Sequence, residues 1–132
     1  MTRFVIDAQV LIGVVQDGRP VGDRHQLIAP NAIRSHALEY LLGAVGRGEL
    51  SERDALGLHE RMTGLKLRLL GDRVSRRAAW DLARAHGWSG LREAEYLAVT
   101  QLQADALVAE EPALLALAHG IVPLAPVAAL FS

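Results

Sequence analysis

Two acidic features stand where a sheet protein would hold a ligand. Asp7 closes the short apolar run Phe4-Val5-Ile6, and Glu110-Glu111 follow Ala106-Leu107-Val108-Ala109. Open parallel sheets bind their ligands at the carboxyl ends of strands, where both features fall. An unpaired carboxylate beside an apolar core is costly, so Asp7 reads as a functional group. Glu111 precedes Pro112, and a helix N-terminus that favours negative charge explains it as readily as a ligand site does. The same argument applies to Glu93, near the start of its helix. Glu39 and His36, three residues apart, share one helix face.

Many chemistries are excluded. The chain has no cysteine, hence no disulfide, thiolate zinc site or cysteine nucleophile. His25, His59, His86 and His119 lie in separate segments without metal-ligand spacing, and no serine-hydrolase elbow, Walker loop or dinucleotide fingerprint occurs. A phosphoacceptor domain built on Asp7 lacks the paired acids and late lysine that its chemistry needs. The formal net charge of −1 rules out bulk electrostatic gripping of nucleic acid, so any such binding needs a local site or a bound cation. Arg73, Arg76 and Arg77 cluster at a helix start after Lys66 and Arg68, as a solvated face or as phosphate contacts. Trp80 and Trp88 are assigned to the core, with Trp88, between Gly87 and Ser89, the more exposed of the two.

The elements that must position these residues follow from the pattern. The 132 residues are 51% apolar and 22% charged, without repeat or linker, which predicts one domain over residues 1–132. No apolar stretch approaches the roughly 18 residues of a membrane span, and the opening residues lack the apolar run of a signal peptide, so a cytoplasmic location is expected. Phe4-Val5-Ile6 predicts a buried strand running into a helix through Val10-Leu11-Ile12. Leu27 to Pro30 reads as extended, and Asn31 as the cap of a helix carrying Ile33, Ala37 and Leu41. Ser51 opens a helix by a capping box. Leu65 to Leu70 alternates as an edge strand. Helices are predicted over Val74 to Ala85, closed by Gly87, along the stripe Leu91, Ala94, Leu97, Ala98, Leu102, and from Pro112. Ala106 to Ala109 and Ile121 to Leu124 complete the strands. Strands alternating with helices predict an α/β domain with a mainly parallel sheet.

Four segments, in order and spacing, resemble the PIN-domain family, especially the VapC-type ribonuclease toxins of bacterial toxin–antitoxin pairs. They are Phe4 to Leu11, Ala29 to Glu39, Arg92 to Val99 and Ala106 to Leu114. The resemblance implies a three-layer domain and a metal-dependent endoribonuclease that gathers acidic side chains around Mg²⁺ or Mn²⁺. It implies an RNA substrate, an antitoxin partner and a homodimer. Asp7 matches the family's first aspartate. Glu93 stands for the aspartate of the third segment, with Tyr96 as its usual aromatic, and Glu111 for the last aspartate, whose preceding threonine is lost at Ala109. His36 falls on the helix glutamate, and Glu39 returns a carboxylate one turn on. The implied catalytic residues are therefore Asp7, Glu39, Glu93 and Glu111; the implied metal ligands are Asp7, Glu93, Glu111 and His36; Arg73, Arg76 and Arg77 are the candidate RNA contacts.

The changes carry a physical consequence. Asp to Glu extends a side chain by about 1.5 Å, whereas ligand placement is held to roughly 0.5 Å. A nitrogen ligand at His36 favours Mn²⁺ over Mg²⁺. A carboxylate survives at every site if Glu39 substitutes for the His36 position, which points to an active site of altered geometry. The alternative is a catalytically impaired PIN-like domain that serves as a protein- or RNA-binding module.

Overall fold

Short apolar strands feeding helices build a three-layer α/β arrangement. The computed structural model describes residues 1–132. In chain order the elements are β1 (Thr2–Ile6), α1 (Ala8–Asp17), β2 (His25–Pro30), α2 (Ile33–Gly46), α3 (Glu52–Arg61), β3 (Arg68–Leu70), α4 (Arg73–His86), α5 (Arg92–Gln103), β4 (Ala106–Val108) and α6 (Pro112–Ala118). Single 3₁₀ turns follow α3 and close the chain at Val127–Phe131.

The four strands form one all-parallel sheet in the order β3-β2-β1-β4. From β1 the chain steps to β2 and β3, then crosses back to β4 on the far side of β1. Right-handed crossovers place α1, α2 and α3 on one face of the sheet, and α4 and α5 on the other. The packing agrees: α1 lies on α2 and α3, while α5 crosses β1, β2 and β4 and carries α4 on its back. The reversal makes the gap between the carboxyl ends of β1 and β4 a topological switch point, and Asp7 and Glu111 flank it. Because both faces are covered, the strands are continuous apolar runs: Phe4-Val5-Ile6, Leu27-Ile28-Ala29 and Ala106-Leu107-Val108 are all buried.

Local chemistry sets the helix boundaries. Asp7, Ser51 and Asp72 each accept a hydrogen bond from the backbone N–H three residues on, opening α1, α3 and α4. Gly87 closes α4 in the left-handed region, as its position predicts. Asn31 does not cap α2. Its backbone N–H donates instead to Leu70 O at 2.9 Å, prolonging the β2–β3 ladder, and the helix starts after Ala32 without a side-chain cap. Gly71 lies opposite, where a Cβ would force the Asn31 amide to shift.

Four further expectations are corrected. The edge strand covers only Arg68–Leu70, because the turn at Met62–Gly64 is closed by Leu65 N–H to Met62 O. The strand expected at Ile121–Leu124 shrinks to a single bridge, Leu107 to Leu124, between Pro123 and Pro126, which have no N–H to donate. The tryptophans are reversed. Trp80 is 55% exposed, while Trp88 is partly buried and stacks on His86 with ring centroids 5.0 Å apart. The α4–α5 contact is made by Ala79 and Ala83 against Ala94 and Ala98, so small residues bring the helices together and leave Trp80 off that face. The α5 stripe also frays at its ends, with Leu91 and Leu102 exposed. No helix is long and apolar enough to cross a membrane.

Candidate active site

Asp7 is fully buried and its carboxylate is held by backbone alone. Oδ1 accepts from Val10 N–H at 2.9 Å, and Oδ2 accepts from Glu110 N–H and Glu111 N–H, both at 2.8 Å. The side chain thus ties the end of β1 and the start of α1 to the turn after β4. Hydrogen bonds to a charged group are among the stronger ones, about 1.5–3 kcal/mol each, and the α1 N-terminus adds a favourable dipole. The buried charge expected from sequence is present, and it has partners.

Glu111 sits at the N-terminal boundary of α6 but makes no cap bond. It is 4% exposed, and its buried Oε1 has no hydrogen-bond partner. The nearest cation is Arg92, whose Nη2 stands 3.9 Å from that oxygen, beyond hydrogen-bond reach. Burial pushes the Glu111 carboxyl above its usual range; the Tyr40 hydroxyl and Arg92 pull it down, while Asp7 and Glu93 push it up. Tyr40 is driven up to about 12, by burial first and then by Glu111. Tyr96 is also raised, by burial and then by the charges of Glu111 and Asp7. Both phenols therefore stay protonated at neutral pH and can donate.

The remaining predicted residues surround this pair unevenly. Glu39 is at the mouth, its side chain 70% exposed, accepting from Arg92 Nη1 at 3.0 Å. Glu93 is partly buried and makes no ion pair, yet its charge acts on both Glu111 and His36. His36 Nδ1 lies 2.9 Å from the Tyr96 hydroxyl. Burial, then Arg92, lowers the His36 pKa, so its ring is neutral at pH 7. Glu110 is exposed and directed toward Gly13 of α1. Arg73, Arg76 and Arg77 are all exposed on α4 and make no ion pair with the acids; Arg76 donates to Gly71 O, and Arg77 pairs with Asp81 at 3.1 Å.

Arg92 is the residue that the sequence reading passed over. Burial opposes its charge, but the Glu39 hydrogen bond and the Glu111 charge outweigh that and raise its pKa. It lies 5.9 Å from the Tyr40 ring and lines a cleft of about 210 Å³ with Glu39, Tyr40, Gly43 and Arg47. A signal was there: Arg92 opens α5 against the helix dipole, an unfavourable place for a cation unless acids elsewhere hold it. The largest cleft, about 660 Å³, is at the far end of α1 and contains none of these residues.

No three histidine or acidic side chains converge to hold a metal ion. The expected set of Asp7, Glu93, Glu111 and His36 is therefore not closed as arranged. Part of it suits a hard cation: Asp7 and Glu111 offer carboxylate oxygens, and the orphaned Oε1 is the atom a cation would satisfy. Glu39 does not, because its carboxylate already has Arg92.

Fold and site together define a parallel three-layer α/β domain with an acidic, arginine-bearing switch-point site. No family model and no curated protein matches the chain. Among solved structures it is similar to PAE2754 from Pyrobaculum aerophilum, with a TM-score of 0.69 and 18% identity, over 98% of this chain and 94% of that one. At that identity the likeness is one of fold.

Proposed function

We propose that the chain is a divalent-metal-dependent endoribonuclease of the PIN-domain, VapC-like type, cleaving RNA phosphodiester bonds by metal-activated water. The observation that carries this reading is the buried, unpartnered Oε1 of Glu111 beside Asp7 at the switch point. An uncompensated carboxylate oxygen in that position is costly unless a ligand completes it. Asp7 and Glu111 would hold Mg²⁺ or Mn²⁺, with Glu93 beside them. Such an ion, when bound, lowers the pKa of a water and stabilises charge on the attacked phosphate.

The chain's own residues prepare that chemistry. Asp7 keeps its position through three backbone N–H groups. Glu111 supplies the buried oxygen that lacks a partner, and burial, which raises its pKa, makes a neighbouring cation favourable. Tyr40 remains an O–H donor facing Glu111. Arg92 brings a guanidinium fork suited to phosphate oxygens. An antitoxin, a second copy of the chain and a cytoplasmic location belong to the same proposal.

The Arg92 contacts favour a second reading. A guanidinium that neutralises Glu39 and faces Glu111 acts as a resident cation, as in a catalytically impaired PIN-like module that binds protein or RNA. Incubation of the purified protein with single-stranded RNA in Mn²⁺, Mg²⁺ or EDTA decides between them, beside calorimetric titration of both ions. Cleavage in Mn²⁺ that EDTA abolishes is the expected result. No cleavage together with no ion binding at millimolar concentration would replace the nuclease with the module.

A further inference from the structure

Helix α4 turns to solvent a face that its packing does not explain. Its buried side is Ser75, Ala79 and Ala83. Its exposed side carries Arg73, Arg76, Arg77, Trp80 and Arg84 against two acids, Asp81 and the capping Asp72. Trp80 is 55% exposed, and the arginines flank it along the helix: Arg76 and Arg77 one turn before, Arg84 one turn after. Of these, Arg77 pairs with Asp81 and Arg76 donates to Gly71 O. Arg73 and Arg84 have no ion pair. The whole chain balances 14 basic against 15 acidic residues, so this is a local concentration of positive charge.

The occupant follows from that chemistry. A second copy related by a two-fold axis would set these guanidinium groups against one another, which is repulsive. A single nucleic-acid strand fits both halves of the pattern. Its bases offer π-faces for an exposed indole, and its phosphates offer charge to the arginines about 6 Å along the helix on either side. A duplex keeps its bases stacked internally and gives Trp80 nothing to stack on. We infer that the exposed face of α4 is a docking surface for single-stranded RNA, with Trp80 stacked on a base and Arg76, Arg77 and Arg84 on the neighbouring phosphates. The identity of the strand as RNA rests on the nuclease reading; the stacking and charge arguments do not.

The test is titration of an oligouridylate of about 12 nucleotides, in EDTA to stop turnover, followed by tryptophan fluorescence. Quenching is expected in the wild type and in Trp88→Phe, and is lost in Trp80→Phe. Trp80→Ala, which removes an exposed side chain and keeps the wild-type circular dichroism, binds about tenfold more weakly. Arg84→Gln lowers the slope of log K against log salt by about one. Undiminished binding by Trp80→Ala, quenching that resides in Trp88, or equal quenching by duplex RNA overturns the proposal. A shift from dimer to monomer in Trp80→Ala with RNA binding unchanged would give the face to a second copy and overturn it too. Cleavage in Mn²⁺ is scored separately: Trp80-dependent binding without cleavage retains the docking face and removes the nuclease, and cleavage with Trp80-independent binding does the reverse.

Discussion

Asp7 and Glu111 meet at the carboxyl ends of β1 and β4, both almost wholly out of water. Asp7 has three backbone N–H partners, whereas Glu111 Oε1 has none and faces Arg92 across 3.9 Å. The same functional group thus serves two ends. A carboxylate with three of its roughly four acceptor sites filled by the chain it joins is mainly framework and keeps one site for a ligand. An unsaturated one is where the fold leaves room for something from outside. The Asp7 N–H partners include the Glu111 backbone, so the framework acid fixes the main chain that presents the free one.

The contrast breaks most sharply at Asp7. An amide there must turn its NH₂ toward at least one of the backbone N–H groups that now donate to the carboxylate. Asp7→Asn is expected to lose about 3 kcal/mol or more in urea unfolding. Arg92→Gln sharpens the other side. With the competing guanidinium gone, Mn²⁺ binding by calorimetry is expected to tighten about tenfold, or 1.4 kcal/mol. The exposed Arg92–Glu39 pair contributes only about 0–1 kcal/mol to stability, so the fold should survive. Unchanged Mn²⁺ affinity would show that Arg92 and the ion do not compete.

Glu111→Gln is expected to leave stability unchanged or raise it by about 1 kcal/mol, since it removes a poorly compensated buried charge. A loss comparable to that of Asp7→Asn would erase the distinction between the two acids. The smallest effect is in pH. The Glu111 pKa is raised by burial, so between its unfolded value near 4.5 and its folded value the native state holds the extra proton. Stability from this group is therefore lost as pH rises through that window, and the difference between wild type and Glu111→Gln should grow there. Parallel pH profiles would contradict the assignment.

Much of this arrangement is legible in the sequence, for local reasons. Phe4-Val5-Ile6 before Asp7 and Ala106 to Ala109 before Glu110-Glu111 mark strands by their apolar runs, and the acids mark their carboxyl ends. Asp7's burial was legible; its three N–H partners were not, because two come from residues more than a hundred positions away. Arg92 was missed because its partners, Glu39 and Glu111, are set by tertiary packing and not by helix spacing. Trp80 was misplaced because hydrophobicity assigns a tryptophan to the core, whereas α4 packs through alanines. The last strand was overextended because Pro123 within it and Pro126 just after it cannot donate to a ladder.

If Glu111 is the open carboxylate of a metal-dependent ribonuclease site, cleavage must depend on it. Cleavage of single-stranded RNA in Mn²⁺ by wild type and by Glu111→Gln, at matched stability, tests it most directly. Cleavage is expected from the wild type, and loss of both cleavage and Mn²⁺ binding from the folded variant. Equal cleavage by both proteins, or none by the wild type, would contradict it.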